Sequence, residues 1–392
     1  MRVFMIVTLL LVAALPACGS FAMPAPSTVP ALNGEIKVAI LAPIGTPMQS
    51  FGISTRDGAV LAMNEWNARG GVLGSRVVPV VEDSGCAPQP AAKSAHKVID
   101  QDHVRFIVGE VCSSASIAIS QIANASKVLQ ISPTSTEPAV TVAGDGQTRH
   151  YVFRACFTDD VQGRAGARFA RQTLNARTAY VLSNVKDSYS RGLAGVFEKA
   201  FTAQGGTIVG RGAYTGTVTD FSATLSQIAQ AKPDVVYLPD FFGIPNLVTK
   251  QAREKGVTAT FLGSDGWDSA NLDTQAADGS YFTDHYWPGD PRPEAQSFAQ
   301  AYGAQFKDGA GNPKVPDGLA ALAYDATNIL LQAIQNSGTP DNTDQVAAAL
   351  EKLTFNAVSG QVTFDAQHNP VKPVTIVAIK ASKLAFDSQV QP

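Results

Sequence analysis

Three short stretches carry residue types suited to holding a small charged molecule. Gly109-Glu110-Val111-Cys112-Ser113-Ser114 closes an apolar run and opens a helical one, which puts Ser113 at a helix start. Backbone N–H groups there lack intrahelical acceptors and carry partial positive charge, so they suit a carboxylate. The plainer alternative is helix capping by Ser113 or Ser114. Ser132-Pro133-Thr134-Ser135-Thr136 ends another apolar run and offers hydroxyls, or simply makes a turn. Gly263-Ser264-Asp265-Gly266-Trp267-Asp268 places a carboxylate beside an indole, a pairing that suits an ammonium with an apolar body. Asp265 or Asp268 could equally cap a helix.

Other chemistry is not signalled. Gly70-Gly71-x-x-Gly74 lies between a helix and a strand, whereas phosphate loops run from strand into helix, so it is read as a turn. No Gly-x-Ser-x-Gly elbow, Walker sequence or paired-cysteine zinc spacing occurs. His96, His103, His150, His285 and His368 are scattered without ligand spacing, and each is read as an exposed or capping residue. Asp265, Asp268 and Asp273 could form a carboxylate cluster for acid–base work, but no nucleophile stands near them in sequence. The reading is a binding protein, not an enzyme, with no metal and no cofactor.

The elements that must position these stretches alternate. Ile36 to Pro43 reads as a strand, Phe51 to Ala68 as a helix, and Arg76 to Val81 as the next strand. The rhythm continues through Val104 to Val108, Ser113 to Ser126 and Val128 to Ile131, and restarts after Ala143 to His150. A second series runs from Asp159 to Leu262, followed by a mostly helical stretch and two closing strands, Gly360 to Phe364 and Val374 to Ile379. Such alternation implies βαβ units, parallel sheets and helices on both faces. Ligands in sheets of this kind sit beyond the carboxyl ends of the strands.

The chain has 392 residues, 45% hydrophobic and 16% charged, with a net charge of −3. That supplies apolar material for two domains, and without a basic stripe it argues against nucleic acid. At the N-terminus, Arg2 precedes an apolar run from Val3 to Leu15, which describes a secretory signal too short to span a bilayer. Leu15-Pro16-Ala17-Cys18 resembles a lipobox that would leave Cys18 lipidated and membrane-anchored. Ser20-Phe21-Ala22 is the rival cleavage site, and Met23 to Leu32 reads as a tether. In an oxidising compartment Cys86 and Cys112 are expected to pair, the alternative being two buried thiols. Cys156 reads as a small buried hydrophobe.

Taken in order, these blocks resemble the periplasmic leucine/isoleucine/valine-binding proteins. The resemblance rests on Lys37 to Pro43, Gly70-Gly71-x-x-Gly74, Cys86, Cys112-Ser113-Ser114, Ile131-Ser132-Pro133 and Gln162-Gly163. It continues through Tyr189-x-x-Gly192, Asp234-Val235-Val236-Tyr237, Gly263-Ser264-Asp265-Gly266 and Ala323-Tyr324-Asp325-Ala326, covering essentially the whole mature chain. It implies a type I periplasmic binding fold of two α/β lobes joined by three crossover segments. The expected lobes are residues 33–154 plus 288–369, and 155–287 plus 370–392, with residues 1–22 as the signal.

By the same resemblance, a ligand's carboxylate meets Ser113 and Thr136, and its ammonium meets the Thr134 carbonyl and Asp265. Phe51, Tyr189 and Phe241 wall the side-chain pocket, with Leu319 and Trp267 beside it. Four positions depart from the family pattern. Phe51 and Phe241 stand for tyrosines, Asp265 for a glutamate and Thr134 for an alanine. The implied function is the ligand-capturing component of an ABC importer for a branched-chain or related amino acid, a monomer that works with permease subunits. A carrier of an amide, urea or aromatic acid, or a ligand sensor, is the alternative.

Overall fold

Five parallel strands form the first sheet of the computed structural model, which describes residues 32–45 and 47–391. They are β1 (Glu35–Ala42), β2 (Arg76–Asp83), β3 (Phe106–Gly109), β4 (Leu129–Ser132) and β5 (Val152–Arg154), in the order β2-β1-β3-β4-β5. The connecting helices are α1 (Gln49–Ala68), α2 (Pro88–His96) and α3 (Ser113–Ala125). The glycine turn before β2 is a turn, with Gly70, Gly71 and Gly74 all at positive φ. A Cβ on Gly71 would meet the Ser75 carbonyl oxygen at 2.0 Å, so no other residue fits there.

A second series follows: α4 (Asp159–Gln172), β6 (Thr178–Asn184), α5 (Ser188–Ala203), β7 (Thr207–Tyr214), α6 (Ser222–Ala231), β8 (Val235–Tyr237), α7 (Gly243–Glu254), β9 (Thr260–Gly263) and β10 (Tyr281–Asp284). Then come α8 (Pro293–Gln305), α9 (Gly318–Ser337), α10 (Thr343–Glu351), the hairpin β11 (Thr354–Ala357) with β12 (Gly360–Thr363), and finally β13 (Val374–Lys380) and β14 (Lys383–Val390). The second sheet has the order β14-β13-β10-β9-β8-β6-β7, with β13 antiparallel to both of its neighbours.

Helix α9 shows how sequence sets position. The Asp317 side chain accepts the Ala320 N–H at 2.8 Å, capping the start, and Gly338 in the left-handed region ends it. Leu322, Ala326, Ile329 and Leu330 pack into one core with Val38, Ile40, Val108 and Ile131 of the first sheet. Thus the chain leaves the first sheet after β5, returns to it with α9 after β10, and leaves again between β12 and β13. The result is two lobes, with three crossovers between them.

Four strands were not legible as such: β5, β10, β11 and β14. Residues 281–284 and 383–390 lack a clean two-residue alternation, and β14 is an edge strand with most of its side chains half-exposed or exposed. No helix among the described residues is long and apolar enough to cross a membrane. The signal, Cys18 and the two cleavage sites lie outside the described residues.

Candidate functional site

The ends of β3, β4 and β9 deliver the three chemistry-bearing stretches to one cleft between the lobes. Glu110, buried after β3, braces the first of them: its carboxylate accepts the Ser84 hydroxyl at 2.7 Å and the Cys112 N–H. Burial pushes its carboxyl up to about 8. Its carbonyl oxygen accepts hydroxyls from Ser116 (2.9 Å), Ser132 (2.9 Å) and Ser135 (3.0 Å). Much of the hydroxyl-rich second stretch is therefore stitching between two loops. Cys86 and Cys112 are disulfide-bonded with Cα atoms 5.3 Å apart, while Cys156 is free, buried and pushed up to about 12 by that burial.

One cavity receives seven of the nine expected ligand-site residues: Phe51, Ser113, Thr134, Tyr189, Phe241, Asp265 and Leu319. On the first-lobe side, Ser113 begins α3 and its Oγ accepts the Glu137 N–H at 3.3 Å, which leaves its own O–H free to donate. Thr134 Oγ1 donates to the Val111 carbonyl at 3.2 Å, so the hydroxyl is occupied. The aromatic wall is continuous across the lobes. Phe51 meets Phe241 edge-on at 6.0 Å and Phe242 at 5.3 Å, and Tyr189 stacks on Phe241 at 5.1 Å.

The second-lobe side is built around Asp265. Its Oδ1 accepts Gln162 Nε2 at 2.7 Å and the Tyr189 hydroxyl at 2.6 Å, and His285 Nε2 lies 3.2 Å from its Oδ2. Tyr189 is itself fixed, accepting the Gly266 N–H at 3.0 Å. His285, read from sequence as exposed or capping, is instead buried and stacked on Phe157 at 3.7 Å. Burial pushes its imidazole down although Asp265 opposes this, so it is the neutral ring that bonds to the carboxylate. Asp284 joins the same cavity, and burial, with the charge of Asp268 second, raises its carboxyl well above the usual range.

Trp267 and Thr136 are elsewhere. The Trp267 indole is fully buried, donating to the Leu238 carbonyl at 3.0 Å, and its ring lies where a Cβ on Gly263 would stand 2.2 Å from Cε2. It fills the second-lobe core with Phe261 and Phe282 and does not reach the cavity. The absent side chain at Gly263 was the sequence signal that the indole folds back over the strand. Thr136 is likewise fully buried outside the cavity lining, with its Oγ1 unpartnered.

The residues missed were Val111, Gly266, Asp284, His285 and Gly318. Gly318 is one bridge between the lobes: its N–H, at the start of α9, donates to Asp268 Oδ2 of the other lobe at 2.6 Å. A Cβ there would stand 2.6 Å from Asp284 Oδ1. Among the described residues no group of three metal-ligating side chains occurs.

Two lobes, each delivering strand-end loops to a shared cleft with a carboxylate on one side and a free helix start on the other, define a ligand-binding protein of the two-lobed periplasmic class. The chain belongs to the periplasmic binding protein family, whose model matches residues 35–383. It is 30% identical over 340 residues to the Leu/Ile/Val-binding protein BraC3 of Rhizobium johnstonii, covering 86% of this chain and 89% of that one. It is 29% identical to a leucine-, isoleucine-, valine-, threonine- and alanine-binding protein of Pseudomonas aeruginosa, over 84% of this chain and 86% of that one. Among solved structures, a leucine-binding protein of Thermotoga maritima superposes with a TM-score of 0.84 at 33% identity, covering 91% of this chain and 99% of that one. A Rhodopseudomonas palustris solute-binding protein in complex with benzoate shares the fold, with a TM-score of 0.81 at 23% identity over 92% of this chain and 97% of that one.

Proposed function

We propose that this chain is the substrate-binding component of an ABC importer and captures a branched-chain or closely related amino acid between its lobes. One observation carries the reading: across a single aromatic cavity, the Asp265 carboxylate faces the wall formed by the start of α3. A zwitterion satisfies both. Its carboxylate takes the Ser113 hydroxyl and the N–H groups of α3. Its ammonium takes Asp265 and the Thr134 carbonyl, and its side chain lies among Phe51, Phe241 and Leu319. Thr136 and Trp267 support these groups from behind.

The lobes divide at residues 154/155, 287/288 and 369/370. The protein is exported, with Cys18 as a lipidated first residue, and it passes its ligand to permease subunits. The relatives that bind leucine, isoleucine and valine support this reading. An aromatic acid would suit the Tyr189–Phe241 stack but would leave Asp265 facing the cavity without a cationic partner.

A thermal-shift comparison of leucine with 4-methylpentanoate, the same skeleton without the ammonium, tests this directly. At 100 times Kd a ligand stabilises by about 2.7 kcal/mol. Leucine or a near relative is expected to shift the melting temperature and the acid to leave it unchanged. Equal shifts from the two would overturn the zwitterion reading, and a shift from benzoate alone would favour the aromatic-acid alternative.

A further inference from the structure

Three carboxyl groups that no expected ligand contact uses gather where the two lobes meet. Asp268 follows β9 and Asp284 ends β10, both in the second lobe, while Asp317 caps α9 of the first. Asp268 Oδ2 accepts the Gly318 N–H across the interface at 2.6 Å, and Asp284 Oδ1 accepts the His285 N–H at 2.6 Å. A Cβ on Gly318 would stand 2.6 Å from Asp284 Oδ1 and 3.1 Å from Asp268 Oδ2, so the two carboxyl groups sit side by side over that backbone. Gly318 is not at positive φ, so close approach and not backbone conformation calls for glycine here. Asp317 is held within its own lobe, accepting the Ser54 hydroxyl at 2.5 Å and the Ala320 N–H at 2.8 Å.

We propose that Asp268, Asp284 and Gly318 form a latch that holds the lobes shut on the ligand and takes up one proton from solvent as it closes. This rests on the reading of the chain as a ligand-capturing protein, and it adds residues that position the lobes to those that touch the ligand. Two carboxylates this close cannot both stay charged without a cation between them. None is supplied. Asp265 and His285 face the pair from the cavity side, with Asp317 of α9 and the Tyr286 phenol on the others, and among the described residues no lysine or arginine is paired with any of the three carboxyl groups. The proton therefore rests on Asp284, which donates it to Asp268, and Asp268 keeps its charge for the Gly318 N–H. Burial, and then the charge of Asp268, raises Asp284 well above the usual range. Burial raises Asp268 less, because the bonds from Gly318 and Asp284 oppose it, and pushes Asp317 up to about 7.

When the lobes part, Asp268 loses the Gly318 N–H and water reaches the pair, so both carboxyl groups return towards the ordinary range near pH ~4. Closure at neutral pH thus binds a proton that the open form lacks. Ligand affinity then falls by up to about tenfold per unit as pH rises, and levels off once the closed pair has lost its proton too. His285 pulls the other way, since burial keeps its ring neutral, but only below about pH 6.5, where an exposed ring is charged. Glu110 and Asp240 are also raised, yet each is bonded within one lobe, to Ser84 and Cys112 or to Tyr214 and Phe241, so closure leaves them unchanged.

Titration calorimetry with leucine at about pH 7, in phosphate and in Tris, counts the protons, because the two buffers give them up with different heats. About one proton taken up per leucine is expected, and none in Asp284→Asn, whose amide donates to Asp268 as the carboxyl does. That variant is expected to keep its affinity from about pH 6.5 to 8.5, while the wild type loses about tenfold or more. Gly318→Ala puts a carbon where the carboxyl groups stand and is expected to weaken binding by about tenfold or more, with the ligand-free melting temperature unchanged. A wild-type count of zero, or a count that persists in Asp284→Asn, overturns the latch. The Ser50 and Ser269 hydroxyls are 3.0 Å apart across the lobes, so Ser50→Cys with Ser269→Cys staples the closed form without any ligand. In the stapled chain at neutral pH, the infrared absorption of protonated carboxyl groups is expected to shrink when Asp284→Asn is added, and an identical absorption overturns the latch. Failure of leucine to bind at any pH overturns leucine as the ligand and not the latch, which the stapled chain then decides.

Discussion

The two walls of the cleft solve opposite electrostatic problems by different means. The first-lobe wall around Ser113 and Thr134 has no charged side chain lining the cavity, and its hold on an anion comes from a hydroxyl and the backbone at a helix start. The second-lobe wall carries Asp265 and Asp284, with Gln162, Tyr189 and His285 already donating to Asp265. A helix start is redundant, because several N–H groups share the work. A single carboxylate is not. Damage to the two walls should therefore differ in scale.

The largest effect is expected from Asp265→Asn. Removing one partner of a buried, hydrogen-bonded charge pair costs about 2–5 kcal/mol, so amino-acid affinity measured by titration calorimetry should fall by about thirtyfold or more. Folding should change little. Undiminished affinity would mean that the ligand has no ammonium at this wall.

The second test reads stability rather than binding. Asp240, buried behind Phe241, accepts the Tyr214 hydroxyl and the Phe241 N–H, yet burial pushes its carboxyl up to about 7. The folded state thus keeps a proton that the unfolded chain loses above pH ~4. Stability from this group is complete below that point, falls as pH rises towards 7, and is flat beyond. Asp240→Asn should remove that contribution, making the loss of urea resistance between pH 5 and 8 visibly shallower. Glu110, raised to about 8, and Asp317, raised to about 7, keep a residual slope. An unchanged pH profile would place the proton elsewhere.

The smallest effect is expected at the first wall. Ser113→Ala removes one hydroxyl and leaves the α3 N–H groups, so affinity should fall by about tenfold or less, in line with about 0.5–1.5 kcal/mol for one hydrogen bond. If this variant loses as much as Asp265→Asn, the walls are not unequal.

Strand-end loops were legible because they join two readable periods, which is why Ser113, Thr134 and Asp265 could be picked out before any fold was known. What surrounds Asp265 was not legible. Tyr189, 76 residues away, was expected in the pocket through the family resemblance alone, and Gln162 and His285, 103 and 20 residues away, were not expected beside Asp265. Their convergence is set by sheet order, which periodicity does not encode. Trp267 went astray for a related reason. Adjacency in sequence put it beside Asp265, but a short helical turn at Asp265–Trp267 sends the two side chains in different directions. Edge strands such as β14 escape because a strand exposed on both faces need not alternate.

Cys112 is at once one end of the disulfide and the residue immediately before α3, so the strap is fastened to the wall that would grip the ligand's carboxylate. Thiols stay reduced in the cytoplasm and pair after export. A cross-link of this span contributes about 3 kcal/mol, so in a chain that is oxidised only after export the wall beside Ser113 gains that support on arrival. For a chain exported as proposed, the stiffening of that wall and the meeting with the ligand then fall in the same compartment.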